Sequence, residues 1–275
     1  MSTLRITAAS RGLLGVALAA LAALAFGSSP ALAVNTQLKE EFSAFAQCPW
    51  ETAQECVASD TTGGEFVLGS KTVPIVNAIQ LKGGLPLQIS LFSDQKMIAP
   101  RDGNTLTSPP QKVPGGLLGV DFLEGIGGEV TATASLAGPA SSIEVSQGAL
   151  AAGGPVAAVV LPLKIKLDNA LLGDQCTIGS ESEPVVLQLK NVKPGTVTTP
   201  GKKKITKISG VTLEDSSFVA PAAKNCGLLT PLVNLLAGLP ASSGKNRAVL
   251  IGSFEQTAAS YALKYEKPPK EKKKK

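Results

Sequence analysis

One cysteine lies in a stretch that could present a reactive thiol. The segment NALLGDQCTIGS, residues 169–180, places Cys176 between a polar turn and a run of small residues. A thiol becomes a nucleophile when a neighbouring base, usually histidine, holds it as the thiolate. The chain contains no histidine, whereas Ser-His-Asp and Cys-His mechanisms and most catalytic zinc and copper sites use an imidazole. We therefore expect Cys176 to be half of a disulfide.

Carboxylate chemistry needs no histidine. A glycosidase uses two acidic groups held about 5 Å or about 6.5–9.5 Å apart. Six acidic residues are candidates in principle: Glu65, Asp94, Asp102, Asp121, Glu124 and Glu129. Their positions in the sequence do not show which two of these carboxyl groups would lie at such a distance. The segment SDTTGG, residues 59–64, approaches the Asp-Thr-Gly turn of aspartic proteases, but it has an extra threonine and no second copy, so it indicates a turn before a strand.

Phosphate, metal and cofactor motifs are weak or absent. The residues before GKKK, residues 201–204, do not have the glycine spacing of a P-loop. RDGN, residues 101–104, lacks the other ligand positions of a calcium loop. Trp50, beside Cys48 and Pro49, favours a plug over a disulfide rather than a sugar platform. We expect no catalytic residues, no cofactor and no metal, and a non-catalytic protein rather than an enzyme.

The basic charge is concentrated at the C-terminus. The chain has a formal net charge of +5, and residues 264–275 alone contain seven lysines and two glutamates. The excess positive charge belongs to a C-terminal tail, so it does not indicate a nucleic-acid-binding surface on the folded domain. The tail is predicted to be disordered and to contact an anionic cell-wall polymer or lipid surface. The lysines assigned to that contact are Lys270, Lys272, Lys273, Lys274 and Lys275.

The first thirty-three residues have the layout of a secretory signal peptide. Arg5 and Arg11 precede an apolar run over residues 13–26, and an Ala-Leu-Ala sequence ends at Ala33. That run is shorter than the roughly twenty residues that span a bilayer. We therefore expect a secreted, extracellular or envelope-associated protein, with a single mainly-β domain over residues 34–263 and the lysine-rich tail after it.

All four cysteines follow the leader, and an even number in an exported chain predicts two disulfides. Cys48, Cys56, Cys176 and Cys226 allow three pairings. Cys48 with Cys56 and Cys176 with Cys226 is the favoured set, because the first two flank a short segment that closes easily.

The remaining pattern is that of strands separated by Gly and Pro. β-Branched or alternating segments predict strands at 64–76, 85–92, 128–137, 142–147 and 155–168, and three more follow. Short helices are predicted within 34–55 and at 227–240, where the leucines recur at helical spacing. The expected fold is mainly β, a disulfide-stapled sandwich or barrel with one or two short helices.

The chain resembles a group of uncharacterised secreted proteins of high-GC actinobacteria. The resemblance is carried by GGEFVLGSKTVPI, LPLKIKLDNALLGDQCTIGS and EPVVLQLKN, and it is most specific over residues 161–190. It implies export, disulfides and a β-rich fold, and it assigns no activity.

Three functions are consistent with these features. The first is a non-catalytic binding or structural protein of the cell envelope. The second is a carboxylate-dependent hydrolase with its site in a cleft of the β domain, which two acidic side chains gathered in a pocket would favour. The third is a carrier of an apolar ligand, suggested by the leucine-rich segments, which a large dry cavity would mark.

Overall fold

A computed structural model of the chain describes residues 42–87, 90, 93–116, 128–198 and 204–266, the side chains of residues 265 and 266 excepted. The predicted signal peptide, the tail lysines Lys270, Lys272, Lys273, Lys274 and Lys275, and the acidic candidates Asp121 and Glu124 lie outside these ranges. Within them, no helix is both long and apolar enough to cross a membrane.

The described residues are mostly strands. The strands are β1 (Glu55–Leu68), β2 (Lys71–Pro74), β3 (Ile79–Leu85), β4 (Gln95–Lys96), β5 (Leu106–Thr107), β6 (Gln111–Val113), β7 (Val130–Leu136), β8 (Glu144–Val145), β9 (Ala157–Asp168), β10 (Thr177–Ile178), β11 (Val185–Lys193), β12 (Thr196–Thr198), β13 (Ile205–Asp215), β14 (Ala223–Lys224) and β15 (Arg247–Ala258). The α-helices are α1 (Gln147–Ala152), α2 (Thr230–Ala237) and α3 (Ala259–Glu266). Single 3-10 turns occupy Ser43–Phe45, Ala140–Ser142 and Gly227–Leu229. The predicted mainly-β class is confirmed.

The strands form one antiparallel sheet that curls into a half-barrel. Its main path runs β14-β10-β9-β11-β13-β15-β1-β3-β5. Ile165 and Lys166 of β9 pair with β10 on one side and with β7 on the other. Because β5 pairs with β3 while β6 pairs with β7, the short connection over residues 108–110 passes from one edge of the sheet to the other.

The curl depends on interruptions in the long strands. β1 shifts register between Thr61 and Gly63, and β13 shifts between Ser209 and Val211. Such bulges bend a strand and increase its twist. Opposite the first bulge, a Cβ atom on Gly252 would overlap the carbonyl oxygen of Asp60, so only glycine allows β1 and β15 to approach so closely there.

The concave face of the sheet holds the main core. β11 shows the pattern most clearly, because Val185, Leu187 and Leu189 are buried while the residues between them are exposed. β9 contributes the next row, from Leu161 to Leu167. Burying each such side chain stabilises the fold by about 1.5–3 kcal/mol.

A second, smaller core lies on the opposite face of β1. It joins Phe42, Phe45 and the first disulfide to residues of α3. Trp50 packs against this cluster, with the Arg101 guanidinium 3.6 Å from the centre of its ring. The interpretation of Trp50 as a cover for the first disulfide agrees with this position.

Both favoured disulfides are confirmed. Cys48 pairs with Cys56 and Cys176 pairs with Cys226, with Cα–Cα distances of 5.5 Å and 4.2 Å. All four cysteines are buried, and none of the described cysteines is free. Cys176 is therefore a structural residue.

Several local predictions differ from the described part of the chain. SDTTGG is not a turn before a strand, because residues 59–64 lie inside β1, paired with β15 and, up to Thr61, with β3. The strand predicted over 85–92 is described at residues 85–87 and 90, and among these only Leu85 belongs to a strand, because Pro86 has no N–H to continue the ladder. In place of the helix predicted within 34–55, the described part has a 3-10 turn at Ser43–Phe45, after which the first disulfide returns the chain to β1.

The helix predicted at 227–240 is confirmed as α2. Pro231 lies in its first turn, and Gly238 ends it in the left-handed conformation that glycine favours. Its inward residues differ from the expected leucine stripe, since Val233 is buried whereas Leu228 and Leu235 are 99% and 77% exposed.

Candidate functional site

The inside of the curled sheet contains three apolar hollows. We call them the helix-end, middle and distal hollows. They enclose about 60, 60 and 40 Å³. Native cores are normally packed with few voids larger than a water molecule, so three hollows in one core are a feature to explain.

The helix-end hollow lies beneath α2. Its walls include Leu68 and Val73 from β1 and β2, Ile165 from β9, and Val233 and Leu236 from α2. The second disulfide holds the 3-10 turn that leads into α2 next to the start of β10, where Ile178 completes the wall. The linkage between residues 176 and 226 thus fixes one end of the hollow.

The middle and distal hollows adjoin each other. They share lining residues from β1, β3, β9, β13 and β15, namely Ser59, Thr61, Leu81, Val159, Leu213 and Leu250. Two of the six, Ser59 and Thr61, are small polar residues of β1, so the side chains of this strand leave space between the larger residues that surround it.

The helix-end hollow continues the same row. Leu68 and Ala132 line it, and the next inward residues on the same strands, Phe66 and Ala134, line the middle hollow. Residues i and i+2 of a strand point to the same face. The three hollows therefore follow the strands as one row through the interior.

Exposed leucines lie in the two turns at the helix end. Leu171 and Leu228 are 64% and 99% exposed, and they stand in the turns joined by the second disulfide. Leu172, which follows Leu171, lines the helix-end hollow. The apolar surface therefore reaches from the interior to solvent at this end of the barrel.

The lining of the row is largely apolar. Its polar residues are Ser59, Thr61 and Ser253, Lys71 in the helix-end hollow, and Asp60 in the distal hollow, whose carboxylate accepts a hydrogen bond from Gln80. No group of three or more acidic or cysteine residues that could hold a metal ion exists in the described ranges.

The described acidic candidates, Glu65, Asp94, Asp102 and Glu129, do not line a common pocket. Glu65 lies 3.4 Å from Arg247, whose guanidinium also binds both carboxyl oxygens of Glu214. That hydrogen bonding holds the pKa of the Glu214 carboxyl below its usual range, the opposite of what a general acid requires.

The other described candidates have separate positions. Asp102 accepts a hydrogen bond from the backbone N–H of Asn104 in a turn. Asp94 and Glu129 are exposed.

A wide polar groove on the outer face does gather two other acidic residues. It encloses about 790 Å³ and is lined by Asp174 and Glu181, together with Lys164 and Lys166. Lys164 lies 3.7 Å from Glu181, whose side chain is 79% exposed. A hydrogen bond to Asp168, 2.6 Å away, raises the pKa of Lys166. These residues form screened surface ion pairs, and sequence spacing gave no sign of the groove.

Sequence reasoning also missed the row of hollows. One usable signal was TATAS, residues 131–135, which places Ala132 and Ala134 on the inner face of a strand where larger side chains are usual.

Comparison of the chain with known protein families, curated proteins and solved structures finds no match. The resemblance to secreted actinobacterial proteins therefore stays a prediction.

Proposed function

We propose that the protein is a non-catalytic binding protein of the cell exterior that carries an unbranched hydrocarbon chain inside its curled sheet. The observation that carries this proposal is the row of three apolar hollows along the inner faces of β1 and β9, with β7 lining two of them. A ring system or a branched molecule would need one wide cavity. A narrow chain can occupy small hollows in series.

The energetics favour such an occupant. An unfilled apolar cavity costs about 24 cal/mol per Å³, so a hollow of 60 Å³ costs about 1.5 kcal/mol. A hydrocarbon chain removes this cost, and each methylene transferred from water to an apolar site contributes about 0.8 kcal/mol more. Open hollows therefore favour the loaded state.

The secreted location is part of the proposal. The two buried disulfides are typical of proteins that fold in an oxidising compartment. The predicted signal peptide would deliver the chain there. A carrier outside the cell would shield an apolar chain from water.

A carboxylate hydrolase is the less supported function. Its site would be the polar groove, where Asp174 and Glu181 are gathered. Both carboxylates face nearby lysines, and neither is enclosed away from solvent. General acids usually owe a raised pKa to burial or to a second negative charge.

Filling the middle hollow should block binding. We expect mature wild-type protein to bind 1-tetradecanol, a neutral fourteen-carbon chain, and Ala134→Leu to weaken that binding at least about tenfold by occupying the hollow. Native mass spectrometry and isothermal titration calorimetry measure the affinity.

Thr133→Leu is the matched control. It adds a similar side chain on the neighbouring residue, which points to the other face of β7, and we expect tetradecanol affinity to be unchanged. Urea unfolding shows whether each variant is folded. If wild-type protein binds no chain of eight to eighteen carbons, or if Ala134→Leu binds as well as wild type, the interior is not the site.

The tail supplies a second, separable proposal. Its lysines, Lys270, Lys272, Lys273, Lys274 and Lys275, would retain the protein near an anionic wall polymer or lipid surface. At about 1 kcal/mol for each net charge, the tail contributes at most about 5 kcal/mol, and salt weakens this attraction. Residues 264–275 carry that charge without aromatic or large aliphatic groups other than Tyr265.

Co-sedimentation with anionic vesicles tests the tail. Mature protein should sediment with vesicles at low salt and be released near 1 M salt, whereas protein ending at residue 266 should stay in the supernatant. Binding that ignores salt, or equal binding by both proteins, would remove the tail from the function.

A further inference from the structure

One lysine lines the helix-end hollow among apolar side chains. In β2, Lys71 and Val73 share the inward face and both line the hollow, whereas Thr72 and Pro74 point outward and are exposed. Lys71 is half-buried. It is the one charged residue among the described residues of this wall.

The Lys71 ammonium has no partner among the described residues. Within the described part of the chain, no hydrogen bond or ion pair joins its Nζ to another residue. Lysines on the outer face differ: Lys166, Lys207 and Lys224 lie 2.6, 2.5 and 2.8 Å from carboxylate oxygens. A cation beside an apolar wall loses hydration, and an anion in the hollow's mouth would restore a strong interaction.

We infer that the interior selects a single-chain amphiphile with an anionic head group, which pairs with Lys71 while its chain extends into the row of hollows. The inference rests on the proposed function. The chain leads from the helix-end hollow past Leu68 and Phe66 into the middle hollow. The head group stays at the end of the barrel where Leu171 and Leu228 reach solvent.

The contributions of the ligand's head-group charge and of its hydrocarbon chain to binding can be tested separately. Myristate and 1-tetradecanol have the same chain length and differ in the head group. We expect wild-type protein to bind myristate about tenfold more tightly than tetradecanol. Lys71→Met keeps most of the length of the side chain and removes its charge, so it should weaken myristate binding about tenfold and abolish the preference for myristate over tetradecanol. Lys71→Arg should retain the preference.

Lys245→Met is the control, because Lys245 is exposed in a turn and lines none of the hollows. It should keep the preference for myristate. A third probe, 1-myristoyl-lysophosphatidic acid, separates two sources of the anionic head. Tighter binding of this probe than of myristate assigns a phosphate, and the reverse order assigns a carboxylate.

The outcomes are distinct. Equal affinities for myristate and tetradecanol in wild-type protein, or a preference that survives Lys71→Met, would overturn the role of Lys71 while leaving the carrier intact. Loss of all three probes would overturn the carrier itself. Loss of tetradecanol binding in Lys71→Met would show that the Lys71 side chain acts by packing rather than by its charge. The affinities of Lys71→Arg and the free energies of unfolding of both variants check that result independently.

Discussion

Replacing Cys176 and Cys226 together by alanine should lower the free energy of unfolding by about 4 kcal/mol. The bond closes a loop with a sequence separation of 50 residues, and the chain-entropy model gives about 4 kcal/mol for a loop of that size. For a chain of this length, the melting temperature should fall by about 8–16 °C. Calorimetry and urea unfolding of the mature protein measure both quantities.

The first disulfide is the matched control. The bond between Cys48 and Cys56 has a sequence separation of 8, and the same model gives about 2.5 kcal/mol. All four side chains are buried, so the double alanine substitutions create similar cavities and their difference isolates the loop term. Thiol titration of denatured, unreduced wild-type protein should find no free thiol. A larger loss from the shorter loop would contradict this account.

The second disulfide also connects stability to binding. It ties the turn before β10, whose Leu172 lines the helix-end hollow, to the turn that leads into α2, whose Val233 lines the same hollow. Under conditions where the double alanine variant remains folded, its tetradecanol affinity should therefore fall more than that of the Cys48/Cys56 variant.

Much of the fold could be predicted because alternation is a local signal. From Leu187 to Lys190 the residues of β11 alternate between apolar and polar, and this stretch defines the buried face, although Val192 is exposed and Asn191 is buried further along the strand. The cysteine pairing was also predictable, since two cysteines eight residues apart close a short loop at low entropic cost.

SDTTGG shows where local reasoning stops. Gly63 and Gly64 favour a turn when considered alone. In the structure they lie at a bulge of β1, whose pairing with β15 on one side and β3 on the other overrides that local preference. Neighbours distant in sequence decide the outcome, and a window of six residues contains none of them.

The hollows could not be predicted for the same reason. Their volume depends on which side chains meet across the barrel, such as Ala134 of β7, Leu81 of β3 and Leu250 of β15. Each strand separately satisfies the pattern of a buried face. The unfilled space arises only when the connection between β5 and β6 brings the two edges of the curled sheet together.

The lysine of the hollow shows a related limit. In sequence, Lys71 follows a Gly-Ser turn and looks like an ordinary surface residue. Its inward position follows from the register of β2 against β1, in which Leu68 pairs with Lys71 and Phe66 pairs with Val73. A shift of one residue would place Thr72 in the hollow and Lys71 in solvent.

Substitution of Asn246 by alanine should destabilise the fold by about 3–5 kcal/mol, as much as loss of the second disulfide. Asn246 is 2% exposed. Its Nδ2 donates to the carbonyl oxygens of Phe218, Ala241 and Ser242 at 3.0–3.1 Å, and its Oδ1 accepts from the backbone N–H of Gly69 at 2.9 Å. Alanine leaves the Gly69 N–H and the Phe218 carbonyl without a partner, whereas the Ala241 and Ser242 carbonyls still accept from the backbone N–H groups of Ala220 and Lys245. Each buried unsatisfied group costs about 1–3 kcal/mol, and the cavity left by the side chain adds to that loss.

Two further variants identify the cause of that loss. Asn104 is exposed and its side chain is remote from this network, so Asn104→Ala should change the free energy of unfolding by less than about 0.5 kcal/mol.

Asn246→Asp keeps the acceptor for Gly69 but sets a carboxylate against three carbonyl oxygens, which raises the pKa of the new carboxyl in the folded state. A raised folded-state pKa gives stability that is present at low pH and lost as the pH rises, so the deficit of Asn246→Asp should be smaller at pH 3 than at pH 7. Urea unfolding of wild type and variant at both pH values measures this difference. A deficit that is the same at both, or larger at pH 3, would show that packing at residue 246, rather than its hydrogen bonds, holds the turn after β1 to the segment before β15.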